Sequence, residues 1–348
     1  MMVKITIGRV VFAFSAVIAL GMVVAAAGLI PIAASTGHWK ITDWFLHWTM
    51  QNSARTYSAV QTPKVIRDDT GLVSAAGHFR QSCQVCHGAP GEAPSPVMQA
   101  ATPPAPNLAR TAGHYTDREL FWIIRHGVKF TGMPAWAGRD RDDEIRRMVG
   151  FVRRLPTMTP QQYRALTQPL SGAPLPQCAG CHDVDGKGRA QPDIPILAGQ
   201  DAAYMLRALQ AYKSGKRVSA VMQTAAAGLD EAQMKAAASY YARLPGLHHG
   251  PIADRNAIAT KGLPETQLPA CAQCHAPGKT APVITGQRAS YLAGRLRQWR
   301  GDHTVIDAHK PQDPMAVIAR RIPEEALDDL AESLAAPTGQ TATGTTMP

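Results

Sequence analysis

The sequence predicts an all-α protein: an N-terminal transmembrane helix followed by three small helix-rich domains in series. Three observations predict it. An uncharged, almost wholly apolar run extends from Val10 to Ala34. Three Cys-x-x-Cys-His elements stand far apart, at Cys83, Cys86 and His87, at Cys178, Cys181 and His182, and at Cys271, Cys274 and His275. Around them, apolar residues recur at helical spacing between Pro- and Gly-rich loops.

Lys4 and Arg9 flank the start of the apolar run. As one helix its 25 residues would span about 37 Å, enough to cross a bilayer. A cleaved signal peptide carries an apolar stretch of only about 7 to 15 residues, so length favours an uncleaved anchor. Ala25 and Ala27 offer a small-x-small cleavage pattern as the alternative. The two basic residues put the N-terminus in the cytoplasm and the rest of the chain in the periplasm, a single-pass arrangement at the bacterial inner membrane.

With 348 residues and a usual domain of roughly 100 to 200, two or three folding units are expected beyond the anchor. The expected organisation is a membrane anchor over 1–37, an interfacial linker over 38–60, domains over 61–170, 171–250 and 251–336, and a disordered Pro/Thr/Gly-rich tail over 337–348. The linker holds Trp39, Trp44, Phe45, Trp48 and Tyr57, residues suited to the lipid headgroup level, with Thr42 as its expected helix cap. His38 and His47 raise the idea of a quinol site, but aromatic anchoring explains the same segment without chemistry.

In the first domain Gly77, Phe79 and Val85 open the helix that bears the first motif, and Pro103, Pro104 and Pro106 mark an irregular stretch. Thr116 and Glu119 form a capping-box pattern ahead of Leu120, Phe121, Ile123 and Ile124, with Gly127 as the stop. Ile145, Met148, Val149, Val152 and Leu155 trace the apolar face of a closing helix that ends at Pro156. The second and third domains repeat one another. Leu175, Pro176, Cys178, Cys181 and His182 match Leu268, Pro269, Cys271, Cys274 and His275 at an offset of 93. Gly199, Gln200 and Tyr204 match Gly286, Gln287 and Tyr291 at 87, and Met222, Ala226 and Leu229 match Met315, Ala319 and Ile322 at 93 again.

All six cysteines fall in the three motifs, leaving none for a disulfide. Two thiols three residues apart can each add to one vinyl group of haem, and the next residue puts an imidazole under the iron. A lone CxxC also reads as a zinc or thiol-redox element, but zinc sites need paired CxxC elements or CxxC with distant histidine pairs. Three covalently bound haem c groups with their iron are therefore expected, on Cys83, Cys86, Cys178, Cys181, Cys271 and Cys274, with His87, His182 and His275 as axial ligands. Low-spin haem takes a further axial ligand, usually Met or His. Met133 lies in a Thr-Gly-Met-Pro loop, and Met222 and Met315 each follow their motif histidine by 40 residues. Each could instead be a core gap-filler, and His303 and His309 rival Met315.

Pro106-Asn107-Leu108, Pro195-Ile196-Leu197 and Pro282-Val283-Ile284 recur behind the motifs. With them the chain resembles class I cytochrome c over about residues 72–336. The resemblance implies that each proline carbonyl accepts a hydrogen bond from the ligand histidine, and that haem loading takes place outside the cytoplasm. Gly199-Gln200 with Tyr204, and Gly286-Gln287 with Tyr291, resemble tandem dihaem cytochromes c that donate to terminal oxidases. Phe121-Trp122 and Gly132-Met133-Pro134-Ala135-Trp136 are similar to haem domains of cbb-type oxidase and membrane dehydrogenase subunits. The chain departs from the family after the second and third motifs, where Asp183 and Ala276 stand in place of a glycine such as Gly88.

The formal net charge is +10, but neither Lys/Arg runs nor aromatic interleaving support nucleic-acid binding. The positive excess lies nearest the membrane: residues 38–170 carry 16 basic against 10 acidic side chains, and residues 251–348 carry 10 of each. The expected function is periplasmic electron transfer in a respiratory chain, from a quinol-oxidising complex or dehydrogenase to a soluble cytochrome or terminal oxidase, with no catalytic residues. The alternative is a cytochrome subunit of a membrane oxidoreductase whose catalytic chain is another polypeptide. A haem peroxidase would need an open iron position, against which the three methionines argue.

Overall fold

A computed structural model describes residues 6–30, 32–138, 140–168, 175–301 and 314–335. His303, His309 and the tail over 337–348 lie outside the described residues. Those described are helical, with no strand among them beyond the isolated bridges Ala89 to Glu92 and Leu263 to Leu268.

Helix α1, Ile7–Ala26, has a mean hydropathy of 2.3 and no buried residue. It is shorter than the apolar run, because Gly28 takes a φ of +69° and turns the chain. Its 20 residues still span about 30 Å, the thickness of a bilayer's hydrocarbon core. Helix α2, Lys40–Gln61, starts before Thr42, which is therefore not its cap; Trp39 holds that place with no side-chain bond, and Asp43 in the first turn complements the helix dipole. Trp44, Phe45 and Trp48 face outward. Further along, Tyr57 stacks on Trp122 at 5.8 Å, and Trp122 Nε1 donates to Gln61 Oε1 at 3.1 Å, so the end of α2 is fastened to the segment around Trp122.

A first cluster is built by α3 (Leu72–His78), α4 (Gln84–His87), α5 (Asp117–His126), α6 (Asp142–Arg154) and α7 (Pro160–Thr167). Its centre is Phe79, Phe121, Ile145, Val149 and Phe151, with Phe79 and Phe151 at 5.2 Å. Burying each such side chain contributes about 1.5 to 3 kcal/mol. The capping box at Thr116 and Glu119 is formed, satisfying two otherwise orphaned N–H groups at the start of α5.

Next come α8 (Pro176–His182), α9 (Ala202–Lys213), α10 (Ala220–Ala227) and α11 (Glu231–Ala242), and after a 3₁₀ turn at Cys271–Gln273, α12 (Ala289–Arg300), α13 (Pro314–Arg321) and α14 (Leu327–Ala335). The sequence repeat has a structural counterpart. Gly199 N–H donates to Tyr241 O at 3.1 Å and Gly286 N–H to Leu334 O at 2.8 Å, with the two glycines at φ +75° and +82°.

The first cluster and the next segment are in contact. Helix α3 packs on α8 and α10, and Ala220 is part of the first cluster's core. Arg189 donates to the carbonyls of Ala165, Leu166 and Gly180, and Ser74 donates to the Asp193 carboxylate.

Candidate functional site

The first motif begins in a π turn, Phe79–Cys83, and ends in α4, which carries Cys86 and His87. Gly88 closes it at φ +70°, where a Cβ would meet Glu92 O at 2.8 Å and the Pro94 ring at 2.9 Å. In the second motif α8 carries both thiols and His182, and Asp183 adopts φ +65°, the left-handed backbone that Gly88 has in the first. The third is wound more tightly at its start: Cys271–Gln273 is a 3₁₀ turn, and Cys274 N–H reaches Cys271 O at 3.2 Å.

His87 Nδ1 lies 2.8 Å from Pro106 O, and His275 Nδ1 lies 2.8 Å from Pro282 O. Such a bond sets the ring's orientation and leaves Nε2 as the atom for a metal. His182 Nδ1 is buried without a well-formed hydrogen bond, although the Pro195 carbonyl still acts on the ring. Burial lowers the pKa of all three imidazoles, that of His182 to about 4, while the proline carbonyls pull the other way. All three are thus neutral near pH 7, the state in which histidine ligates a metal.

Burial pushes the Cys83 thiol up to about 12 and those of Cys178, Cys181 and Cys271 up to about 11. Dithiol redox centres use depressed thiol pKa values, and the shift here runs the other way. Among the described residues no three His, Cys, Asp or Glu side chains converge as a cation cluster.

The three methionines are half-buried. Met133 N–H is bonded to Thr131 Oγ1 at 3.1 Å, and its carbonyl receives Val128 N–H at 3.1 Å. Gly127 packs under this loop at φ +66°, where a Cβ would come within 2.6 Å of Met133 O. Met222 lies in the first turn of α10, its N–H bonded to Ser219 Oγ at 3.1 Å. Met315 lies in the first turn of α13 against the core formed by α12 and α14.

These residues fit haem c. Each motif places two thiols and a neutral imidazole within about a turn of chain. Beside the second motif, Met205, Ala238 and Tyr241 are the buried members of one apolar cluster among the described residues, and the motif's own Cys178 packs against it.

The motifs are also brought together. The position of a Cβ on Gly77, in α3, is 3.1 Å from Cys181 Sγ, so the helix leading into the first motif touches a thiol of the second. Between the second and third, Gln200 accepts from Val283 N–H and donates to Val283 O, both at 2.9 Å. Gln287 does the same with Ile196, at 2.9 and 3.0 Å. In the sequence the two glutamines are repeat landmarks, and nothing there marks them as each other's counterparts across a joint. No motif in the sequence marks Glu144, a buried carboxylate between the first two segments.

Residues 72–152 match the family described as cytochrome C oxidase, cbb3-type, subunit III, and residues 172–244 match the family described as cytochrome c. A thiosulfate dehydrogenase electron acceptor from Stutzerimonas stutzeri is 34% identical over 179 residues, 48% of this chain and 81% of the relative. A cytochrome c4 from Azotobacter vinelandii is 28% identical over 208 residues, 51% of this chain and 93% of the relative. Among solved structures, a cytochrome c4 from Acidithiobacillus ferrooxidans is 29% identical, covers 46% of this chain and 98% of that one, and has a TM-score of 0.37.

Proposed function

The chain belongs to the c-type cytochromes, electron-transfer proteins that hold haem c covalently, and we propose that it is a three-haem relay anchored in the inner membrane with its haem domains in the periplasm. The bound haem supplies a one-electron iron couple. The protein supplies the thiols of Cys83 and Cys86, Cys178 and Cys181, and Cys271 and Cys274, the imidazoles of His87, His182 and His275, and the sulfurs of Met133, Met222 and Met315. In this reading the three domains are residues 61–170, 171–250 and 251–336, and α1 is a retained single-pass anchor.

The contiguity of the three motifs is the observation that carries the relay: α3 touches Cys181, and the two glutamines join the second motif's loop to the third's. An electron entering at one end would then pass through packed protein. The name of the Stutzerimonas stutzeri relative favours a periplasmic dehydrogenase as donor, of the kind that oxidises thiosulfate. The acceptor would be a soluble cytochrome or a terminal oxidase.

Haem and protein assays on the detergent-purified chain test the count, with three haems per polypeptide expected and two overturning it. Mixing with thiosulfate dehydrogenase and thiosulfate tests the donor class: haem reduction that needs both is expected, and none would remove that donor. The match of residues 72–152 to an oxidase subunit favours a second reading, a fixed subunit of a membrane oxidoreductase. Stoichiometric co-purification with a catalytic chain would select it over the free relay.

A further inference from the structure

Glu144 is almost wholly enclosed, yet it is a carboxylate, and its surroundings account for it. Arg141 Nη2 pairs with Oε1 at 3.0 Å, and three neutral donors complete the shell: Trp136 Nε1 on Oε2 at 3.3 Å, Ser219 Oγ on Oε1 at 2.5 Å and Ala220 N–H on Oε2 at 2.9 Å. A buried charge is tolerated only when paired and hydrogen-bonded, so these bonds answer the cost of removing it from water. The donors come from different places. Trp136 belongs to the loop that carries Met133, three residues away, whereas Ser219 and Ala220 begin α10, which carries Met222 in its first turn. Ser219 Oγ itself accepts Met222 N–H at 3.1 Å, so the chain from carboxylate to ligand-bearing residue is only two bonds long. Arg141 adds a third tie, Nη1 to Val218 O at 3.1 Å.

We propose that Glu144 is a positioning residue that holds the Met133 loop and the start of the Met222 helix on one carboxylate, so that the sixth coordination of the first and second haems is set jointly. This rests on the proposed role of Met133 and Met222 as ligands. The carboxylate acts by placing backbone. Trp136 and Ala220 N–H share Oε2 and Ser219 holds Oε1, so a displacement of either segment would disturb the anchor of the other. Coupling of this kind is reciprocal between the two sites.

The test uses the full-length holoprotein in detergent and reads two signals. They are the weak red-edge charge-transfer absorption of methionine-ligated ferric haem, and carbon monoxide binding by the reduced protein. Met133→Ala and Met222→Ala serve as references, each expected to remove about one third of the band and to open one haem. Glu144→Ala is expected to remove more than one such share, and Trp136→Phe and Ser219→Ala, which each delete one donor to the carboxylate, part of one share apiece. A merely structural carboxylate would lower the melting temperature and leave both signals unchanged in the folded protein. If all three variants keep the wild-type band and bind no extra carbon monoxide while the reference variants each lose their share, the proposal is overturned. If the reference variants themselves keep the full band, the ligand assignment is what fails, and Glu144 loses this role with it.

Discussion

Gln200 and Gln287 grip each other's neighbouring loops with the same pair of bonds, Gln200 to both backbone groups of Val283 and Gln287 to both of Ile196. Each carboxamide oxygen also accepts the N–H of the next residue, Asp201 in one case and Arg288 in the other. The joint is self-complementary, as a two-fold interface is, though both halves belong to one chain.

Replacing either glutamine by alanine strands a half-buried N–H and a carbonyl on the opposite repeat, at a cost of about 1 to 3 kcal/mol. Gln200→Ala and Gln287→Ala are expected to lower the denaturant midpoint by similar amounts. A loss at one position with none at the other would show that the joint is not shared equally.

Gly127→Ala should act on the first haem alone. Its Cβ would come within 2.5 Å of Pro134 C and 2.6 Å of Met133 O, and the backbone there is left-handed. The Met133 loop must move, so about one third of the charge-transfer absorption should disappear. An unchanged spectrum would argue that Met133 is not a ligand.

Asp183 keeps, at φ +65° and ψ 168°, a conformation close to the one Gly88 adopts at φ +70° and ψ −175°. That region belongs almost entirely to glycine and costs another residue about 1 to 3 kcal/mol. Asp183→Gly is therefore expected to stabilise the protein, less the loss of the bond from Val184 N–H to Asp183 Oδ1. Gly88→Ala should destabilise it. Thermal melts of the two variants moving in the same direction would refute the comparison.

On the three-haem reading, the rival ligands of the third haem are Met315 on α13 and the imidazoles of His303 and His309. Met315→Ala is expected to abolish about one third of the sulfur charge-transfer band and to create one carbon-monoxide-binding haem. An intact band in that variant, with a site opened instead by His303→Ala or His309→Ala, would make the third haem bis-histidine.

With α1 retained, the protein should stay with membranes through a high-salt wash, and deletion of residues 1–37 should release it. An intact mass beginning near Gly28 with full release to the periplasm would show cleavage instead. Because the basic excess lies in residues 38–170, electron exchange there with an acidic partner should slow as salt rises, screening acting over about 8 Å at physiological strength. Rates indifferent to salt would leave the charge gradient without a docking role.

The chemistry and the local turns are legible in the chain before it folds. Attachment needs two thiols and an imidazole within five residues, so CxxCH is readable in any fold. The Thr116 and Glu119 box links residues three apart, and the repeat offsets reappear as equivalent bonds at Gly199 and Gly286. Thr42 misled because the chain enters α2 earlier, at Lys40, behind a Trp39 that makes no side-chain capping bond. Which surfaces meet was settled by three-dimensional packing alone. Glu144 finds Ser219 across 75 residues, Gln200 finds Val283 across 83, and Cys181 comes to rest against Gly77. Such contacts depend on how one packed segment is rotated against the next. That rotation arises from the summed fit of many side chains, which no short stretch of sequence contains.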